Sequence, residues 1–176
     1  LLLDVYLATP ALHDLPLTII GDGPLRASLE RTAVASPAGH AVRFLGELGR
    51  AEVADAMRRA RALVLPSTRE GYGAVAAEAL ACGTPVVGSR VGALPEILAG
   101  PEAGLLVEPG DREGLAEALE RVALWPHSPA EVAAASGARS WRERVTDILG
   151  LYDEVLANRV AGDGHGADDT GRIGRA

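Results

Sequence analysis

The sequence predicts an α/β domain in which a parallel sheet is flanked by helices, and three observations carry that prediction. Short apolar runs, at Leu17–Ile20, Val42–Leu45, Ala62–Leu65, Pro85–Gly88 and Gly104–Val107, alternate with helical segments. Strands separated in this way by helices form βαβ units, so the strands run parallel and both faces of the sheet are covered. With 176 residues and 48% hydrophobic content, the chain can bury one core. Glycine-rich or polar turns follow four of the runs, at Gly21–Gly23, Gly46–Leu48, Pro66–Gly73 and Ser89–Gly92. Open parallel sheets bind ligands at the carboxyl ends of their strands, so that edge is the expected binding site.

Taken in order, Leu1 to Leu12 is apolar with Asp4 and Thr9 interposed, which predicts a helix ending near Pro10 or His13. Leu17–Ile20 reads as a buried strand that stops at Gly21-Asp22-Gly23-Pro24. Leu25 to Ala35 is helical, with Leu25, Leu29 and Ala33 on one face. The strand Val42–Leu45 ends at Gly46-Glu47-Leu48, and Arg50 to Arg61 is a helix with a charged outer face. Ala62–Leu65 leads through a polar turn into the Ala/Leu-rich helix Ala74–Cys82. A strand at Pro85–Gly88, a short helix at Ala93–Ala99 and a strand at Gly104–Val107 follow. Arg112 to Leu124 is amphipathic with Leu115, Leu119 and Val122 inward, and further helices are expected at 128–136 and 140–157. Residues 1–160 thus form one domain, and the Gly/Asp-rich stretch 161–176 has no periodicity and is expected to be a disordered tail.

Composition excludes several functions. A net charge of -7, with arginine as the only strong base, argues against non-specific nucleic-acid binding. A single cysteine, Cys82, rules out an internal disulfide and fits a reducing, cytoplasmic setting, with a peripheral place at the inner membrane face as the variant of that expectation. No apolar run is long enough to span a bilayer and nothing reads as a signal peptide. The chain opens inside an apolar segment without Met and is expected to be a fragment of something longer.

The most informative stretch is Pro66-Ser67-Thr68-Arg69-Glu70-Gly71-Tyr72-Gly73, between the third strand and the helix that starts at Ala74. Strand, turn, glycines and helix place bare backbone N–H groups at a helix start, and with the helix dipole these make an anion site. Glu70 stands just before it and Glu78 follows, with seven residues between them. Carboxylates accept O–H donors, so polyol hydroxyls beside a phosphate are their natural partners. Phosphate plus polyol makes a nucleotide sugar the first hypothesis.

Pro-Ser-x-x-Glu-Gly-Tyr-Gly followed by Glu78-Ala79-Leu80-Ala81-Cys82-Gly83-Thr84-Pro85 resembles the signature of retaining glycosyltransferases of the GT-B fold, family 4, with its Glu-x7-Glu motif. The resemblance covers roughly Leu1 to Leu156 and implies the Rossmann-like C-terminal, donor-binding half of such an enzyme, lacking its first strand. It implies that Glu70 acts in the catalytic site by bonding the hydroxyls of the transferred sugar, and not as a covalent nucleophile. Glu78 would accept from the ribose hydroxyls. Backbone amides of Gly71, Tyr72, Gly73, Ala74 and Val75 would contact the donor's phosphates and sugar, while Gly21 and Gly23 line the donor cleft. Gly46 and Leu48 sit where the family's main chain meets the base, and Ser89–Glu96 is similar to the family's Gly-Gly-x-x-Glu loop with Ala93 at the second glycine. Ser140-Trp141 matches a family Ser-Trp. The implied donor is a UDP- or GDP-sugar, transferred with retention to a saccharide, lipid or small-metabolite acceptor held by an N-terminal domain outside this chain. The fragment alone is expected to be inactive.

Other readings compete. Gly21-Asp22-Gly23-Pro24 invites a dinucleotide fingerprint, but Arg26 stands where the sixth-position glycine belongs. A sugar-nucleotide epimerase would share the phosphate-binding helix start, and a non-catalytic or truncated relative would share the fold. Arg90 could attract phosphate or be an ordinary surface residue. Cys82 reads as a small buried hydrophobe. His13, His40, His127 and His165 lack metal-ligand spacing and no Asp-x-Asp occurs, so no obligatory metal is expected.

Overall fold

The structure, a computed structural model, describes residues 1–135, 145, 146 and 148–154. The chain divides into two compact units, Leu1–Ala138 and Arg139–Ala176. In the second, residues 145, 146 and 148–154 are helical. The remainder of the helix expected over 140–157, Ser140-Trp141 and the tail 161–176 lie outside the described residues.

The first unit alternates helix and strand: α1 (Leu2–Ala8), β1 (Leu17–Ile20), α2 (Arg26–Val34), β2 (Val42–Gly46), α3 (Arg50–Arg59), β3 (Leu63–Leu65), α4 (Ala74–Ala81), β4 (Val86–Ser89), α5 (Leu94–Ile97), β5 (Gly104–Val107), α6 (Arg112–Leu124) and α7 (Pro129–Ala135). Every strand pairing is parallel, and the strands form two hydrogen-bonded sheets, β1–β2 and β3–β4–β5. The fold is therefore the expected α/β arrangement of parallel strands flanked by helices. Its ladder, however, is divided into two sheets, with β1 and β3 each hydrogen-bonded to a single strand among the described residues.

β4 shows why the helices lie on both faces. Side chains of a strand alternate between its faces. Val86 accordingly joins one apolar cluster with Met57, Ala76, Ala79, Leu80, Leu94 and Val132. Val87 joins another with Val5, Tyr6, Val107, Leu115 and Leu119. Both valines are fully buried, as are Leu80, Leu94 and Leu115. Each such side chain contributes roughly 1.5–3 kcal/mol by leaving water. The alanines of α4 let that helix lie close to its neighbours, since Ala76 and Ala79 are fully buried without a bulky side chain. β1 and β2 differ from the expectation of a doubly covered sheet. Their alternate residues Thr18, Ile20, Arg43 and Leu45 are exposed, while Leu17 and Val42 pack on the cluster of α1 and α6.

Three element boundaries also differ, each for a local reason. The helix expected over Leu1–Leu12 is divided, because Pro10 has no N–H to continue it. Thr9 Oγ1 donates to Val5 O at 2.8 Å, and Pro10–Leu12 continues as a 3₁₀ turn. Leu25, expected on the inner face of α2, stands before the helix and is 67% exposed, while Ala33 is buried. Pro85 precedes β4 and serves the sheet only as an acceptor, taking the Leu63 N–H at 2.9 Å. Among the described residues, no helix is long and apolar enough to cross a membrane.

Candidate functional site

All four turns singled out in the sequence follow the carboxyl ends of strands, and the structure gathers them into two groups. The first joins the turn after β3 to the turn after β4. From Leu65 the chain runs through Pro66–Gly73 into α4, whose ladder opens with the Ala76 N–H donating to Gly73 O at 2.9 Å. The amides of Ala74 and Val75 stand outside that ladder, as first-turn amides do.

Glu70 curls back on its own loop. Its Oε1 accepts from the amides of Gly71 at 3.1 Å and Gly73 at 3.3 Å, and its Oε2 accepts from Ser67 Oγ at 3.4 Å. The carboxylate thus lies on two of the backbone donors that the resemblance gives to the donor's phosphates and sugar. Glu70 is half-buried, whereas Glu78 is exposed. Glu78 is the fifth residue of α4, about 6 Å along the axis from Ala74. Tyr72 is 57% exposed.

The two glycines flanking Tyr72 do different things. Gly73 is buried with φ +72°, a left-handed conformation that side chains disfavour, and a β-carbon there would lie 2.9 Å from Leu94 Cδ2. Gly71 has nothing within 4 Å of its β-carbon position. The fold therefore requires glycine at 73 and leaves position 71 open.

The turn after β4 braces this loop from beneath. Gly92 adopts φ +54°, with its α-carbon so close to the loop that a β-carbon would collide with Glu70 O and come within 2.7 Å of Gly71 O. The Ala93 N–H donates to Gly71 O at 3.2 Å. Arg90 pairs with Glu108 at 2.9 Å across the ends of β4 and β5, so its charge is engaged on the surface. Ser89, at the end of β4, carries the buried side-chain oxygen that has no hydrogen-bond partner among the described residues.

The second group lies at the ends of β1 and β2. The Gly21 N–H donates to Gly46 O at 2.7 Å, tying the two turns together, and Asp22 Oδ1 accepts from the Gly23 N–H at 2.7 Å. Gly46 is buried, Leu48 half-buried, and Gly21 and Gly23 exposed. Arg26, read in the sequence only as the residue that spoils a dinucleotide fingerprint, lies over Gly46, with Nη1 2.8 Å from that residue's β-carbon position. It pairs with Glu30 at 2.9 Å and Asp22 at 3.5 Å. Its hydrogen bond to Glu30 leads the interactions that raise the guanidinium's pKa. The four-residue spacing of Arg26 and Glu30 was the available signal for this pair.

His13, His40 and His127 each bond a nearby backbone carbonyl, of Tyr6, Pro37 and Trp125 respectively. Among the described residues, no group of three or more His, Cys, Asp or Glu side chains is placed to hold a metal ion. Cys82 is half-buried against the cluster around Leu80, as a small apolar residue.

Comparison with known proteins places this arrangement. A family model described as glycosyl transferases group 1 matches residues 3–124. The chain is similar to a D-inositol 3-phosphate glycosyltransferase of Saccharomonospora viridis, 37% identical over 160 residues that cover 84% of this chain and 37% of that protein. It is also similar to a glycogen synthase of Mycobacterium tuberculosis, 40% identical over 130 residues, 74% of this chain and 30% of that one. Among solved structures, a sucrose-phosphate synthase from Thermosynechococcus elongatus superposes with a TM-score of 0.65 at 28% identity, covering 88% of this chain and 42% of its own. Anabaena HepE, solved in complex with UDP, superposes with a TM-score of 0.69 at 24% identity, covering 89% of this chain and 44% of its own. The C-terminal domain of a group 1 glycosyl transferase from Francisella tularensis does so with a TM-score of 0.62 at 24% identity, covering 77% of this chain and 72% of that one. The chain spans well under half the length of the two curated relatives it matches.

Proposed function

This chain belongs to the glycosyl transferases group 1 family, and from that membership we propose that it is the donor-binding domain of a retaining glycosyltransferase that uses a nucleoside-diphosphate hexose. The observation that carries the proposal is the loop Glu70–Gly73 at the carboxyl end of β3, with its amides at the start of α4 and Glu78 one turn further on. In this reading the donor's phosphates and sugar take the amides of Gly71 to Val75, and the ribose hydroxyls donate to Glu78. Glu70 receives hydroxyls of the sugar. Gly21, Gly23, Gly46 and Leu48 border the base.

Catalysis here is electrostatic. Preorganised N–H donors at a helix start stabilise the charge that develops on the leaving diphosphate, which is usually a large share of the rate enhancement. No step requires a metal in this scheme. The acceptor, whether a saccharide, a lipid or a small metabolite, would be held by a second domain outside these residues. This polypeptide alone would bind donor without transferring sugar.

Titration with UDP, GDP, ADP and NAD, followed by heat or amide chemical shifts, tests the reading. One nucleoside diphosphate is expected to bind, and Glu78→Ala is expected to weaken it about tenfold, the loss of one charge-assisted hydrogen-bonded contact. Tightest binding of NAD, with Glu78→Ala indifferent, would end the glycosyltransferase reading.

A further inference from the structure

Glu70 has been given a role toward the sugar, yet its carboxylate lies on the amides of Gly71 and Gly73. We propose that Glu70 is the resident occupant of this amide pocket and is displaced when a donor's phosphate enters. The movement that frees the amides then delivers the carboxylate toward the sugar. The inference rests on the donor-binding reading above.

Carboxylate and phosphate oxygens compete for the same donors, because both accept charge-assisted hydrogen bonds from backbone N–H groups. Two anions cannot share one pair of amides, since their repulsion at such a distance is strong near a protein surface. One must leave.

The geometry makes the carboxylate the one that leaves. Of its three hydrogen bonds, that from Gly71 at 3.1 Å is at the long end of the usual range, and those from Gly73 at 3.3 Å and Ser67 at 3.4 Å lie beyond it. The side chain is half-buried, so water can take over its solvation as it swings out. The loop backbone, by contrast, is fixed. Gly92 lies against Glu70 O, Ala93 N–H holds Gly71 O, and Gly73 is seated on Leu94. The side chain can therefore depart while the amides keep their places.

The mechanism gives Glu70 opposite effects on two kinds of ligand. Toward a bare diphosphate it is a competitor. Toward a diphosphate carrying a sugar it is both competitor and contact.

Inorganic pyrophosphate is the first probe, because it needs neither base nor sugar. Glu70→Ala is expected to bind pyrophosphate about three- to tenfold more tightly than the wild type, with Glu70→Gln between them. For whichever of UDP and GDP the wild type binds, the variant should also lose the preference for the sugar-bearing nucleotide over the bare one. In the wild type, the carboxylate ¹³C resonance of Glu70 should move with the Gly71 and Gly73 amide resonances at one pyrophosphate midpoint. That readout needs no variant to fold.

Glu70→Ala binding pyrophosphate as weakly as the wild type, or more weakly, would overturn the proposal, as would a stationary Glu70 resonance while the amides shift. No pyrophosphate binding by either protein would overturn it too. Failure of the donor reading looks different: pyrophosphate binds and displaces Glu70, but no nucleoside diphosphate binds more tightly than pyrophosphate and Glu78→Ala changes nothing.

Discussion

The α-carbon of Gly92 rests against the carbonyl oxygen of Glu70, joining the turn after β4 to the loop after β3 at a point where no side chain fits. A β-carbon at position 92 would have to push the Glu70–Gly71 backbone aside. It would also have to hold φ +54°, where non-glycine residues are strained. Gly92→Ala should therefore lower stability by about 1–3 kcal/mol in urea unfolding and weaken nucleoside-diphosphate binding beyond what the stability loss explains. A variant of unchanged affinity, measured where it is fully folded, would show that the loop does not depend on this brace.

Gly71 should behave in the opposite way. Its β-carbon position meets no atom within 4 Å, and its φ is not in the left-handed region. Gly71→Ala should leave the unfolding midpoint unchanged or slightly raised, since alanine restricts the unfolded chain. The same methyl would stand where a ligand approaches the amide. Nucleoside-diphosphate affinity should fall about tenfold, read by calorimetry.

Thr84 links the core beneath the site. Its side chain is 2% exposed, and its Oγ1 donates to Met57 O, near the end of α3, at 2.6 Å. Thr84→Val keeps the shape and removes the hydroxyl. Because Met57 O still accepts from the Ala60 N–H at 2.9 Å, the cost should be about 1–2 kcal/mol rather than that of an orphaned carbonyl. Equilibrium urea unfolding gives this directly.

Tyr6 contributes to an alkaline fall in stability. Burial pushes its phenol pKa up from the ordinary 10.0, and the hydroxyl donates to Leu15 O at 2.9 Å. A folded-state pKa above the unfolded one means that the folded state holds the proton more tightly. This contribution is complete below pH 10.0 and is lost as pH rises through the folded-state value. The unfolding midpoint should fall above pH 10, and Tyr6→Phe should remove that part of the fall.

Much of this was legible in the sequence because it rests on local chemistry. The period of the apolar residues located β1, β2, β5 and α6, and Leu115, Leu119 and Val122 are buried as their spacing requires. The turns after the strands were visible as glycines and polar residues. What stayed hidden depends on contacts distant in sequence or on which way a side chain or helix start is turned. Gly71 and Gly73 look alike as letters, and the left-handed φ of Gly73 together with the position of Leu94 separates them. The bond from Glu70 to its own loop was equally unreadable, since a carboxylate beside bare amides can face outward or inward. Leu25 misled because helical spacing extends past the point where the helix starts. The division of the strands into two sheets has no signature within any one strand.

That division has a mechanical consequence. Within β3–β4–β5, or within β1–β2, sliding one strand past another breaks a ladder of hydrogen bonds. Between the two sheets, the described residues are joined by side chains on a shared floor, where Leu17, Val42 and Val64 all pack on the cluster of α1 and α6. Side-chain packing yields to small displacements by rotamer adjustment, whereas a ladder yields only in whole steps. The loop of Glu70 and the turns of Gly21 and Gly46 belong to different ladders. Each of β1 and β3 keeps an edge whose N–H and C=O groups pair with no strand among the described residues, and a strand laid along such an edge would stiffen that joint.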